Sequence, residues 1–301
     1  MPVRSKSMIL ALAAMLALGY AVSARADEQK KFASPQEAFK ALVAAARSDD
    51  PKAMLAILGP DGEEIVSSGD PVADKAARRR FVEGASARTR FETLPSGATI
   101  VIVGKDDWPL PIPIVKDGTQ WRFDTAAGKE ELLNRRIGRN EIKAIDVCRV
   151  YYEAQREHAR REKTYAQKIR SEPGKRDGLY WDDPTGKSPS PLGPFLAEAT
   201  AEGYTPGTGD PQPYHGYFYR SLTAQGAHAP GGAKNYVKDG KMTEGFALIA
   251  WPADPGSSGV MTFICGPEGI VYQKNLGEKS AEVAKAMTEF DPDDSWTPVR
   301  D

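Results

Sequence analysis

Tyr214-His215-Gly216-Tyr217-Phe218-Tyr219-Arg220 is the stretch whose residue types could do chemistry. Read as a strand, its alternation puts His215, Tyr217 and Tyr219 on one face and Phe218 and Arg220 on the other. An imidazole among phenol rings, joined by Trp181 from an aromatic segment upstream, could stack on a sugar or an aromatic ligand. The competing reading is a strand that buries its rings and satisfies their hydroxyls at the rim. Trp181, His215, Tyr217 and Tyr219 are therefore the candidate ligand-binding residues. Other signatures are thin. None of His158, His215 and His228 has a second His or Cys at ligand spacing, so no metal site is expected. No serine sits in a Gly-x-Ser-x-Gly elbow, and Gly226 to Gly232 lacks the Lys-Ser/Thr ending of a phosphate loop. Asp291, Asp293 and Asp294 lack the Gly and distal Glu of a calcium loop. No cofactor is expected, and the catalytic residues of any reaction stay unassigned.

The compartment is easier to read. Two positive charges in Met1–Lys6, an uncharged run from Met8 to Val22 and the small-x-small triplet Ala24-Arg25-Ala26 have the layout of a secretory signal peptide over residues 1–26. The run is short for a membrane span, so no span is expected after cleavage. A periplasmic or extracellular location follows. Losing residues 1–26 removes Arg4, Lys6 and Arg25 from 40 basic residues and none of the 41 acidic ones, leaving a net charge of about −4. The chain thus lacks the basic excess that nucleic-acid binding exploits. An oxidising compartment and an even count predict a Cys148–Cys265 disulfide.

The elements that must position these residues divide the mature chain in two. Ser34-Pro35-Gln36-Glu37, Asp50-Pro51 and Asp70-Pro71 each place a capping side chain before a proline, predicting three short helices. Thr99–Val103 reads as a strand, and Ile112–Val115 turns through Asp117-Gly118 into Gln120–Phe123 as a hairpin. Residues 27–128 are predicted to form a small α+β domain of helices plus hairpin. Residues 129–301 follow as a second α+β domain. A long helix, broken or bent around Gly138, runs to Lys163, its charged end with His158 on the surface. Ser171–Gly245 reads as long ordered loops rich in aromatic residues. Strands at His215–Ser221, Phe246–Trp251, Val260–Cys265 and Ile270–Lys274, separated by Gly/Pro turns, predict an antiparallel meander, and Ser280–Phe290 a last helix.

Several segments carry a resemblance. Trp108-Pro109-Leu110-Pro111-Ile112-Pro113, Arg135-Arg136-Ile137-Gly138-Arg139-Asn140-Glu141, Asp177-Gly178-Leu179-Tyr180-Trp181, Ser190-Pro191-Leu192-Gly193-Pro194 and Gly259-Val260-Met261-Thr262-Phe263 resemble the bacterial family named domain of unknown function 2950. The resemblance runs from Phe32 to Trp296 and implies a secreted envelope protein, without an activity or catalytic residues to carry over. The long helix followed by loops and meander also looks like the globular part of type IV pilins, without their apolar stem.

Two function classes remain. One is a non-enzymatic envelope protein that binds a partner protein or a glycan through its aromatic second half. The other is a hydrolase whose site is assembled from residues distant in sequence. The absence of motifs favours binding.

Overall fold

The computed structural model describes residues 29–205 and 211–300; the predicted signal peptide lies outside them. The three proline-led helices form as the caps require. Ser34, Asp50 and Asp70 accept hydrogen bonds from the backbone N–H groups of Glu37, Ala53 and Ala73 at 3.2, 3.0 and 3.0 Å. They open α1 (Pro35–Arg47), α2 (Pro51–Leu58) and, after the one-turn α3 (Glu63–Val66), α4 (Pro71–Ala87). An antiparallel sheet follows from β1 (Thr89–Thr93), β2 (Thr99–Val103), β3 (Trp108–Pro109), β4 (Ile114–Asp117) and β5 (Gln120–Phe123). Its order is β1-β2-β4-β5 with β3 also on β2, and β4 and β5 are the predicted hairpin. Phe39, Leu42, Ile57, Val101, Ile114 and Phe123 are the heart of this first core.

A single helix, α5 (Thr125–Glu162), then runs for 38 residues. Its start is tied to the first core: Thr125 Oγ1 donates to Leu58 O at 2.6 Å, and Gly128 lies so close to Pro111 that a Cβ would overlap that residue's carbonyl. Its second half, through Ala144, Val147, Cys148, Tyr151 and Ala154, belongs to a second core. The helix runs through Gly138 without a break. A glycine with only open space around its missing side chain weakens a helix slightly but does not break it when both ends are anchored.

The second core surrounds a five-stranded antiparallel sheet, the predicted meander with one added edge. Its surroundings are β6 (Lys168–Arg170) paired parallel to β7 (Gly178–Tyr180), then α6 (Gly193–Glu202) and β8 (Tyr217–Leu222). Four two-residue strands follow: β9 (Ala224–Gln225), β10 (Lys234–Asn235), β11 (Val237–Lys238) and β12 (Lys241–Met242). The chain closes with β13 (Ala247–Pro252), β14 (Met261–Cys265), β15 (Val271–Asn275), α7 (Ser280–Ala286), β16 (Glu289–Phe290) and β17 (Thr297–Pro298). All six residues of β13 are buried, with α5 and α7 both against it. The fold is α+β, and no described helix is long and apolar enough to cross a membrane.

Three expectations are corrected. Cys148 and Cys265 do face each other across the second core, yet both are free, buried thiols. The Cys265 sulfur donates to the Cys148 backbone carbonyl at 3.8 Å, and the two thiols are neighbours without a bond between them. A side-chain hydrogen bond with Cys148 first, and burial second, push the Cys265 thiol well above its ordinary value. His158 is interior: its ring nitrogens lie 2.6 Å from Thr164 O and 2.9 Å from Arg176 O. The aromatic segment predicted as loops contains α6, which begins with Gly-Pro and lacks a side-chain cap.

The two cores meet along a polar seam on α5. The Arg136 guanidinium donates to Glu64 O, Ile65 O and Ser257 Oγ. Asn140 Nδ2 donates to Ser258 O at 2.8 Å, and Glu141 accepts from the N–H groups of Val260 and Met261 at 2.9 Å each. Replacing Arg136 by Met leaves two carbonyls short of a donor. Such a loss costs about 1–3 kcal/mol. Urea unfolding followed by tryptophan fluorescence should show Arg136→Met destabilised by that amount, and an unchanged midpoint would show that the seam carries no stability.

Candidate functional site

The sequence-predicted residues do not share one surface. Tyr217 opens β8, is fully buried, and donates to Met261 O at 2.9 Å, its ring filling the space beside Gly259. Trp181 is buried, donates from Nε1 to Ser188 O at 2.8 Å and lies under the Arg176 guanidinium. Tyr219 is half-buried, donates to Tyr214 O at 3.3 Å and lines an apolar cavity of about 350 Å³ with Val147, Phe195 and Phe218. His215 leaves the strand altogether. Its φ of 48° places it in the left-handed region, in a tight turn closed by Tyr214 and Tyr217, so the expected alternation with Tyr217 and Tyr219 fails there.

His215 instead reaches a second, larger opening. Its Nε2 lies 2.9 Å from Glu202 Oε2, the carboxylate at the end of α6. Its backbone N–H donates to the Tyr204 hydroxyl at 3.1 Å, and that hydroxyl donates to Asp70 Oδ2 at 3.0 Å. The same oxygen accepts the Gly216 N–H at 2.8 Å while Oδ1 caps α4. Asp70, only 1 % exposed, thus ties the start of α4 to the turn before β8. Burial first, then the Asp70 charge, holds the Tyr204 hydroxyl well above its ordinary value.

From this clamp a cleft of about 870 Å³ runs between α4 and α5. Leu42, Met54, Leu58, Ile112 and Leu132 supply apolar lining, whereas Glu202, Tyr204 and His215 also line it. Asp74, on the α4 wall, is buried and accepts from Ser68 N at 2.9 Å and Ser68 Oγ at 2.7 Å. Burial raises its carboxyl above the usual range, against the Ser68 hydrogen bonds and the charges of Arg136 and Arg78. The remaining wall is basic: Arg78, Arg79 and Arg80 from α4, and Arg135, Arg136, Arg139 and Lys143 from α5. Arg78 is paired with Asp49 at 2.6 Å, Arg79 approaches Glu83 at 3.8 Å and Arg135 is paired with Glu131 at 2.6 Å. Arg80, Arg139 and Lys143 make no hydrogen bond or ion pair among the described residues.

Arg139 is an exposed side chain, yet its guanidinium is pushed down from its ordinary value, first by partial desolvation and then by Arg80, Arg136 and Arg135. These charges are therefore neighbours. Such a site can neutralise an anion and bury an apolar body. It can also orient an imidazole through Glu202, but among the described contacts no hydroxyl or thiol meets the His215 ring. No group of three or more described His, Cys, Asp or Glu side chains is placed to hold a metal.

Sequence reasoning missed the cleft because each charge cluster alone resembles a solvated face. One signal was present: Arg135, Arg139 and Lys143 lie four residues apart, a row of like charges that an isolated helix disfavours.

The fold and cleft define an α+β protein with two cores on one helix and a cation-walled opening between helices. The chain belongs to the family described as protein of unknown function (DUF2950), whose model matches residues 29–299. Neither the curated proteins nor the solved structures contain a match, so the likeness to pilins gains no support. Two segments that carry the family resemblance, Trp108–Pro113 and Arg135–Glu141, contribute Trp108, Leu110, Ile112, Arg135, Arg136, Arg139 and Asn140 to the cleft.

The hydroxyls of Tyr151, Tyr204, Tyr214, Tyr217, Tyr219 and Tyr236 are all raised, each chiefly by burial. In the unfolded chain they ionise near pH 10. The folded state then binds more protons than the unfolded one, so stability should be unaffected below that pH and fall as pH rises through it. Ultraviolet titration should find these six silent until the fold is lost in one step; gradual ionisation of all tyrosines in folded protein would contradict the packing.

Proposed function

We propose that this chain is an exported, non-enzymatic binding protein of the bacterial cell envelope and that the cleft between α4 and α5 receives its ligand. Export rests on the layout of residues 1–26, with its basic start, apolar run and Ala24-Arg25-Ala26 triplet. Binding rests on one observation: an apolar opening of about 870 Å³ whose walls hold cations without counter-charges. That volume lies within the roughly 300–1,000 Å³ typical of small-molecule sites. The concave shape favours a small ligand over the flat face of a partner protein, and the row of cations favours an anionic ligand over a neutral glycan.

A hydrolase is the second reading, favoured by the His215–Glu202 pair at the edge of the same cleft. A carboxylate-held imidazole could activate water. The experiment separates the two. Protein recovered from the periplasm of a bacterial host without detergent should show, in native mass spectrometry, a bound small molecule released on denaturation. Ala77→Trp, which places an indole on the α4 wall, should emerge empty. Incubation with peptidoglycan and envelope polysaccharide should release no soluble fragments; release that His215→Ala abolishes would replace binding by catalysis.

A further inference from the structure

The cleft separates its polarity. Ile65, Phe81 and Leu132, packed on the first core, are partly exposed to it, and three cations without partners among the described residues stand on its helical walls. The acids within reach are committed elsewhere: Asp74 to Ser68, Glu202 to His215 and Glu131 to Arg135. Arg139 and Lys143 continue the row begun by Arg135 at four-residue spacing, so each faces a like charge along α5, and Arg139 has Arg80 across the opening as well. An anion relieves that repulsion, and guanidinium groups suit carboxylate and phosphate oxygens. Beside this row Ile142 is 63 % exposed, the most exposed of the large apolar side chains among the described residues, and it also lines the cleft. A purely ionic ligand would leave Ile142 and the aliphatic lining uncovered.

Building on the binding function proposed above, we propose that the ligand is a single-chain anionic amphiphile. Its carboxylate or phosphate head lies between Arg80 and Arg139, and its hydrocarbon chain covers the partly exposed Ile65, Phe81 and Leu132 and the exposed Ile142.

Calorimetry with monomeric dodecanoate and dodecyl phosphate tests this against dodecyl maltoside, dodecyltrimethylammonium, inorganic phosphate and anionic phospholipid vesicles. Both anionic amphiphiles should bind at one site, at least tenfold more tightly than the neutral or cationic chain and than free phosphate. Arg80→Gln/Arg139→Gln should lose at least tenfold for the anions while leaving the weak binding of dodecyl maltoside unchanged. Ala77→Trp should block every chain, and circular dichroism and thermal melts of each variant establish that it is folded. Equal binding of the neutral chain, blocked by Ala77→Trp, would overturn the anionic class and leave the cleft as the ligand site. Phosphate binding as tightly as its dodecyl ester would reduce the site to an anion site. Vesicle binding without uptake of monomeric chains would make it a surface contact. No binding by any probe overturns the amphiphile, and the co-purified ligand then decides whether the cleft binds anything.

Discussion

One helix must serve two cores, and the rest of the molecule is arranged around that constraint. At about 1.5 Å per residue, the 38 residues of α5 span about 57 Å. Thr125 and Gly128 are buried against the first core, Leu133 is the next buried position, and a run of buried positions from Asn140 to His158 serves the second. From Asn134 to Arg139 no residue is buried. That interval is too far along the helix for one core and too early for the other. The cleft opens against it, so the opening is a geometric consequence of the shared helix.

The flanks of the interval hold the two cores in register by polar contacts. Arg136 binds the carbonyls at the end of α3, Asn140 and Glu141 bind the segment that starts β14, and Asp70 joins α4 to the β8 turn. Apolar contacts tolerate sliding, whereas a carboxylate accepting two N–H groups and a hydroxyl permits one arrangement. Asp70 has a double task in this scheme. As a cap it sets where α4 begins, and as a clamp it sets where His215 stands. The left-handed backbone at His215 is held by the same contact, since the adjacent Gly216 N–H is bonded to Asp70.

Most elements were legible because their signals are local. Capping residues before proline announced α1, α2 and α4, and β-branched runs between Gly/Pro turns announced the hairpin and the meander. The failures share a cause in distance along the chain. His158 lies among charged helix residues, and only the return of Thr164 and Arg176 makes its position interior. Cys148 and Cys265 are brought together as expected, but whether two sulfurs bond depends on side-chain direction, which spacing does not contain. The candidate site is the extreme case. Arg80 and Arg139 are 59 positions apart, and their proximity exists only once α4 and α5 are placed. Trp181 and Tyr217 drew attention through their chemistry, yet large rings are also the most profitable groups to bury.

The like-charge row is tolerable for the same reason that it is conspicuous. An unfavourable pair four residues apart on an exposed helix costs about 0.2–0.5 kcal/mol, and salt screens it further. Two such pairs, Arg135 with Arg139 and Arg139 with Lys143, therefore weigh little against a helix anchored in two cores. Moving either arginine into a core would cost far more, because a buried charge without a partner loses its hydration outright. The rim of the cleft is accordingly the place on α5 where unpaired cations are cheap, and the helix backbone keeps them rigidly spaced. An anion arriving there meets charges already in position, so little of the interaction is spent on ordering the site.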